Sequence, residues 1–202
     1  MYYTESLFAT PFLYEHAKEL SNSTLQAFCS GIYNAEGTDG NWQSEHLDLN
    51  NILLQPLVTR VQALFDKQAH LLGLVEDCRI EVTQGWINVN KPGTNRSNTN
   101  DMHMHPGHIM SAVYYVQTAT DSGNLVLSSP HGLMDYALPY KLIKNPTQFN
   151  GTRYTVMPKD GDLVCFPGWI NHSVGENLSE HTRISIAFNG NLGGKALDDK
   201  SL

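Results

Sequence analysis

The sequence predicts a mainly β fold of the α+β class: an antiparallel β-sandwich or jelly roll with N-terminal helices packed on one face. Three observations carry this. Apolar residues recur at helical spacing before residue 75. From about residue 78 the periodicity becomes that of strands. Turn-forming residues then cut the second half into several short segments. A chain of 202 residues is long enough for one domain with its own core. We expect a single domain over 1–202, with 1–75 as helical support and 78–190 as the β core.

In chain order, Leu7–Leu13 reads as an extended lead-in. Ala17, Leu20, Leu25, Phe28 and Ile32 follow at near-helical spacing, with residues 21–23 as a break and N-cap. Asp39-Gly40 marks a turn. A second helix carries Leu53, Leu54, Leu57, Val58, Val61, Leu64 and Phe65 on a broad apolar stripe, with Asn50 as its cap. Pro56 is tolerated only in its first turns. Arg79–Val82 and Gly85–Asn90 read as strands, and 91–102 as a polar loop. Ser111–Gln117 is a strand, and Asp121-Ser122-Gly123 turns it as a hairpin into Asn124–Leu127. Residues 128–151 form a long, weakly periodic loop, a candidate substrate lid with Tyr136, Tyr140 and Phe149. Arg153–Val156, Asp162–Phe166 and Thr182–Phe188 complete the strands.

A 41% hydrophobic and 16% charged composition is that of an ordinary soluble globular protein. A net charge of −7 argues against extended nucleic acid or an anionic membrane as an electrostatic partner. The three cysteines, Cys29, Cys78 and Cys165, lack paired spacing and read as free thiols of a reducing, cytoplasmic compartment. No signal peptide or membrane span is apparent. Oligomeric state is not legible.

The chemistry concentrates in Asp101-Met-His103-Met-His105-Pro-Gly-His108. In an extended segment residues i and i+2 share a face, so His103 and His105 lie roughly 6.6 Å apart and converge on one metal ion. His172, in Pro167-Gly-Trp-Ile-Asn-His172, is a third ligand from a distant strand that leaves other coordination positions open. Arg183 and Ser185 again share one strand face, while Ile184, Ile186 and Phe188 take the other. An arginine among apolar strand residues needs an anionic partner, and guanidinium plus hydroxyl suits a carboxylate.

Together these residues resemble the 2-oxoglutarate/Fe(II)-dependent oxygenase superfamily. The nearer resemblance is to a group of oxygenases, many from phages and marine bacteria. Matching pieces run through most of the chain: Leu7–Pro11, Trp42–Ser44, Trp86–Asn88, His103-Met-His105-Pro-Gly, Ser111–Val116, Pro167–Trp169, His172–Val174 and Arg183–Asn189. The resemblance implies a double-stranded β-helix, cupin-like core. It implies Fe(II) on His103, His105 and His172, with 2-oxoglutarate as co-substrate anchored by Arg183 and Ser185. O2 is the oxidant, and the expected outcome is hydroxylation of a small molecule or side chain with release of succinate and CO2. Asn88 and Tyr115 are further candidates for the co-substrate site. Asn88 and Asn90 share a face and can serve a bound carboxylate or structural hydrogen bonds equally. Tyr114 and Tyr115 face opposite ways, so at most one lines the site.

The chain departs from the superfamily in placing His105 where a carboxylate ligand is usual. A three-His face carries one negative charge fewer, which alters the redox behaviour of iron and its selectivity over other metals. A shifted Asp101/His103 pair is the alternative ligand set; His103/His105 is preferred. Two other functions compete. One is a three-His cupin-like dioxygenase that uses no 2-oxoglutarate, with Arg183 holding the substrate's own carboxylate. The other is a non-catalytic jelly-roll binding protein with a saturated metal. An echo of the His-x-His-x-Asp-His motif of metallo-β-lactamase-like hydrolases fails, because Gly107 stands where that motif needs Asp. His16, His46, His70 and His181 read as structural or surface residues, as does His131 on balance. His108 is either a supporting donor or loop surface. Trp86 and Trp169 read as packing.

Overall fold

The computed structural model describes residues 2–17, 19–20, 22–36, 41–93, 99–131 and 139–194. Two helices are present among them, α1 (Asn22–Glu36) and α2 (Gln55–Leu71). Ten strands follow in chain order: β1 (Leu13–His16), β2 (Trp42–Gln43), β3 (Arg79–Asn90), β4 (Asn100–His103), β5 (Met110–Gln117), β6 (Leu125–Ser128), β7 (Arg153–Val156), β8 (Asp162–Pro167), β9 (His172–Val174) and β10 (Arg183–Gly193). A six-stranded sheet runs β1-β8-β5-β10-β3-β2, and a four-stranded sheet runs β4-β9-β6-β7. All pairings are antiparallel. This is the mainly β, double-stranded β-helix arrangement that the sequence predicts, with the helices on one face.

Strand parity sorts the side chains of the large sheet. Ile87 on β3, Tyr114 on β5, Leu163 on β8, and Ile186 and Phe188 on β10 are buried against Leu57, Val61 and Phe65 of α2 and Leu25 and Cys29 of α1. The opposite face presents Tyr115, Val164 and Phe166 to Leu125, Leu127, Val156 and Ile170 on the side of the small sheet. The space between the two sheets holds the site. Helix α1 is tied to β5 at its start: Asn22 Nδ2 donates to the Val116 carbonyl at 2.6 Å, and Tyr114 Oη donates to Asn22 Oδ1 at 3.1 Å.

Several expectations are corrected. The Asp121–Gly123 turn is present, with Asp121 at φ 62° and Gly123 at φ 97°. It is not a hairpin, because β5 and β6 lie in different sheets and the turn carries the chain across the sandwich. Arg79–Asn90 is one strand, held continuous by pairing with β10 along its length. The second helix is not capped by Asn50. It starts at Gln55 after Leu54, with Pro56 in its first turn as predicted, while Asp48 and Asn51 accept main-chain N–H groups in the preceding loop. The N-terminal segment is not wholly helical, since β1 and β2 close the two edges of the large sheet. The Asp39-Gly40 turn, residue 21 of the first break and residues 132–138 of the long loop, Tyr136 among them, lie outside the described residues. Beyond that gap the loop contains a 3₁₀ turn at Tyr140–Leu142.

Candidate metal centre and anion site

His103 ends β4, and its Cα partner across the ladder is His172, the first residue of β9. His105 lies just beyond the strand, where its main-chain N–H donates to the Gly168 carbonyl at 2.8 Å. Gly168 in turn donates to the Ile109 carbonyl at 3.0 Å. A Cβ on Gly168 would come within 2.5 Å of the His108 carbonyl oxygen, so glycine is what lets the two segments approach. The three rings converge, with centroids 4.3 Å apart for His103–His172, 5.2 Å for His103–His105 and 5.0 Å for His105–His172. One ligand nitrogen from each falls within 4.8 Å of the others. Nε2 of His105 stands 3.2 Å from Nε2 of His172.

Main-chain carbonyls orient two of the rings. His103 Nδ1 donates to the Asp101 carbonyl at 2.6 Å, and His172 Nδ1 donates to the Ile170 carbonyl at 2.9 Å. Each leaves its Nε2 lone pair facing the cluster. Asp101 thus supplies its carbonyl, while the residue itself is exposed and its carboxylate is not in the cluster. Burial pushes His105 down to about 4, with the neighbouring His172, His103 and His108 adding to the shift. Burial also pushes His172 down to about 4, opposed by its bond to Ile170 and reinforced by His103. Both are therefore neutral near pH 7, the form in which imidazole ligates a metal. Three imidazoles on one side of an open cavity fit a divalent first-row ion that needs free positions.

Arg183 opens β10 and is only 2% exposed. Its Nη1 donates to the Gly123 carbonyl at 3.0 Å and its Nη2 to Asn90 Oδ1 at 2.8 Å. Its Nε is buried and without a partner among the described residues. No carboxylate among the described residues pairs with it. A buried cation lacking a counter-charge is costly, and an incoming carboxylate would supply both the charge and the acceptor. Asn90 passes the contact on, donating to Asn100 Oδ1 on β4 at 3.2 Å. Tyr115 is buried nearby; burial pushes its phenol up to about 12, the Arg183 charge opposing.

The histidine cluster and Arg183 line one cavity of about 360 Å³. Asn88 and Tyr115 are also on its wall. Ser185 is buried on the same face of β10, opposite Asn88 of β3, but is not part of the wall. No Asp, Glu or Lys lines the cavity among the described residues. Trp86 packs its ring 5.7 Å from that of His105 and also reaches the cavity. Trp169, expected to pack, is 50% exposed. His46, expected as a structural or surface residue, is exposed and also lines the cavity, whereas the His131 ring meets the Phe8 carbonyl. His108 also reaches the cavity and sits against the Asn191 side chain of β10. Sequence reasoning passed over Asn100, Ser111, Gly123 and Asn189. Strand parity alone would have placed Asn189 on the site face, two residues beyond Ala187.

A double-stranded β-helix with a cluster of ligand histidines between its sheets is the architecture of the iron oxygenases that use 2-oxo acids. Residues 84–189 match the family model described as "Putative 2OG-Fe(II) oxygenase", and the chain belongs to that family. No match is found among curated proteins. Solved structures with the same fold include the non-heme α-ketoglutarate-dependent epimerase SnoN from nogalamycin biosynthesis, at 14% identity and a TM-score of 0.64 over 95% of this chain and 85% of that one. A Pseudomonas putida prolyl-4-hydroxylase aligns at 16% identity and a TM-score of 0.61 over 90% and 92%. HygX from Streptomyces hygroscopicus, solved with nickel and 2-oxoglutarate, aligns at 13% identity and 0.56 over 92% and 84%.

Proposed function

We propose that His103, His105 and His172 hold Fe(II), and that Arg183 anchors the far carboxylate of 2-oxoglutarate in an enzyme that hydroxylates a small molecule or side chain. The observation that carries this reading is the buried, unpartnered Nε of Arg183 in the same cavity as the three histidines. When bound, iron and 2-oxoglutarate supply the oxidation of substrate by O2, with succinate and CO2 as co-products. The chain supplies placement. Main-chain carbonyls aim two imidazoles, Gly168 holds the third ligand's segment, and Asn90 and the Gly123 carbonyl hold the guanidinium. Leu125, Phe166 and Val174 on the wall limit water near the metal. Asn88 on the wall supports the carboxylate end, with Ser185 beside it across the β10–β3 pair but off the wall, and Tyr115 stays a neutral phenol there.

The residues 1–202 act as one domain in this reading, and the cavity is lined by none of the described residues of 128–151. No helix among the described residues is long and apolar enough to cross a membrane. The free thiols Cys29, Cys78 and Cys165 fit a cytoplasmic setting.

The test is succinate release from 2-oxoglutarate under air with added Fe(II), alongside 2-oxoglutarate binding. Arg183→Ala should raise the dissociation constant for 2-oxoglutarate by about 10- to 100-fold, the worth of charge-assisted hydrogen bonds. An unchanged constant, with no succinate formed by the wild type, would overturn the reading. Oxygen uptake with a small acid but without 2-oxoglutarate would instead favour a dioxygenase that binds substrate directly.

A further inference from the structure

We infer that Asn189, braced by Ser111, is the positioning residue that sets the tautomer of His105 and, by turning its amide, frees the ligand nitrogen for metal; the inference rests on the three-His reading above. Ser111 and Asn189 are 3% and 2% exposed, and Ser111 Oγ donates to Asn189 Oδ1 at 2.8 Å. The Asn189 Nδ2 lies 3.3 Å from His105 Nδ1. An amide nitrogen only donates, so Nδ1 accepts and the ring proton belongs on Nε2. That nitrogen faces His172 Nε2 across 3.2 Å, which accepts because the His172 proton is committed to Ile170. Donors and acceptors therefore match in one direction from Ser111 to Ile170.

Coordination through Nε2 of His105 demands the opposite tautomer. The proton leaves Nε2, one is taken up at Nδ1 through water, and Nδ1 then needs an acceptor. Half a turn of the Asn189 amide brings Oδ1 to Nδ1 and Nδ2 to Ser111 Oγ, a hydroxyl that accepts as readily as it donates. His103 and His172 have no such choice, since each Nδ1 meets a carbonyl, which only accepts. His105 is the one histidine of the three whose tautomer is set by a group able to serve both forms.

Co(II) alone, titrated into the metal-depleted chain, tests the role. Asn189→Ala should weaken Co(II) binding by about 10- to 100-fold, the usual cost of losing a partner behind a ligand. Asn189→Asp, which can only accept, should bind at least as tightly as the wild type. Nitrogen-15 histidine spectra of the wild type should show the His105 ring proton on Nε2 without metal and on Nδ1 with Zn(II). Equal weakening in both variants, or one tautomer in both states, overturns the inference, and the wild-type spectra decide even if a variant fails to fold. His105→Ala separates the two levels. If it binds Co(II) like the wild type, the three-His reading fails; if it loses Co(II) while Asn189→Ala binds normally, only the inference fails.

Discussion

His105 and His172 are held neutral by burial, and that has a sign. Their folded values of about 4 lie below the ordinary 6.5, so the unfolded chain takes up protons first as pH falls. Stability of the metal-depleted chain should be flat above pH 6.5, fall between 6.5 and 4, and level off below 4. Melting temperatures across that range check it, and His172→Gln should flatten the slope. A rise in melting temperature on acidification would contradict it. At this scale much of the site was legible. His103, His105, His172 and Arg183 stood out by spacing, because a strand's two-residue period is visible in one dimension. Two features were not. Whether Asp101 offers its carboxylate or its carbonyl depends on a local turn of the backbone. The place of Ser185, on the right face yet off the cavity wall, depends on how neighbouring strands shape that wall.

Strand β10 carries two functions on its two faces: Ile184, Ile186 and Phe188 enter the core, while Arg183 and Asn189 reach the site. Its neighbours hold it with glycines. A Cβ at Gly123 would collide with the Gly175 carbonyl and crowd Arg183 Nη1, at a φ of +97° that disfavours any side chain. Gly123→Ala should cost about 2 kcal/mol or more of stability and weaken 2-oxoglutarate binding, read from denaturant melts and a binding titration. Gly168→Ala should instead displace the His105 segment and weaken Co(II) binding, while leaving 2-oxoglutarate contacts at Arg183 in place. Strand positions were largely legible, since alternation is a local signal; Arg153–Val156 appears as predicted. Sheet membership was not. Asp121–Gly123 has turn chemistry, but turn residues report a change of direction and not which sheet receives the next strand. The length of β10 was likewise hidden, because Asn189–Gly193 is strand through its pairing with β3.

At the scale of the molecule, α2 is pressed onto the large sheet where Phe65 meets Gly190, so close that a Cβ there would collide with the ring. The β10–β3 register shifts between Asn189 and Gly190, beside this contact. Phe65→Ala should cost about 3–5 kcal/mol of stability, read as a lowered melting temperature, with the cavity open between the other faces of the sheets. The absence of acidic and lysine side chains from the cavity wall among the described residues has a kinetic consequence. The chain carries a net charge of −7, while the cation of the cavity wall, Arg183, is buried. A dianion approaching from bulk water meets repulsion first and attraction only after entry. Salt shortens the repulsion, whose reach is about 10 Å at 0.1 M, and barely touches the buried attraction. The association rate of 2-oxoglutarate should therefore rise with ionic strength while its dissociation rate holds steady, the reverse of electrostatic steering, and stopped-flow binding across a salt series would show it.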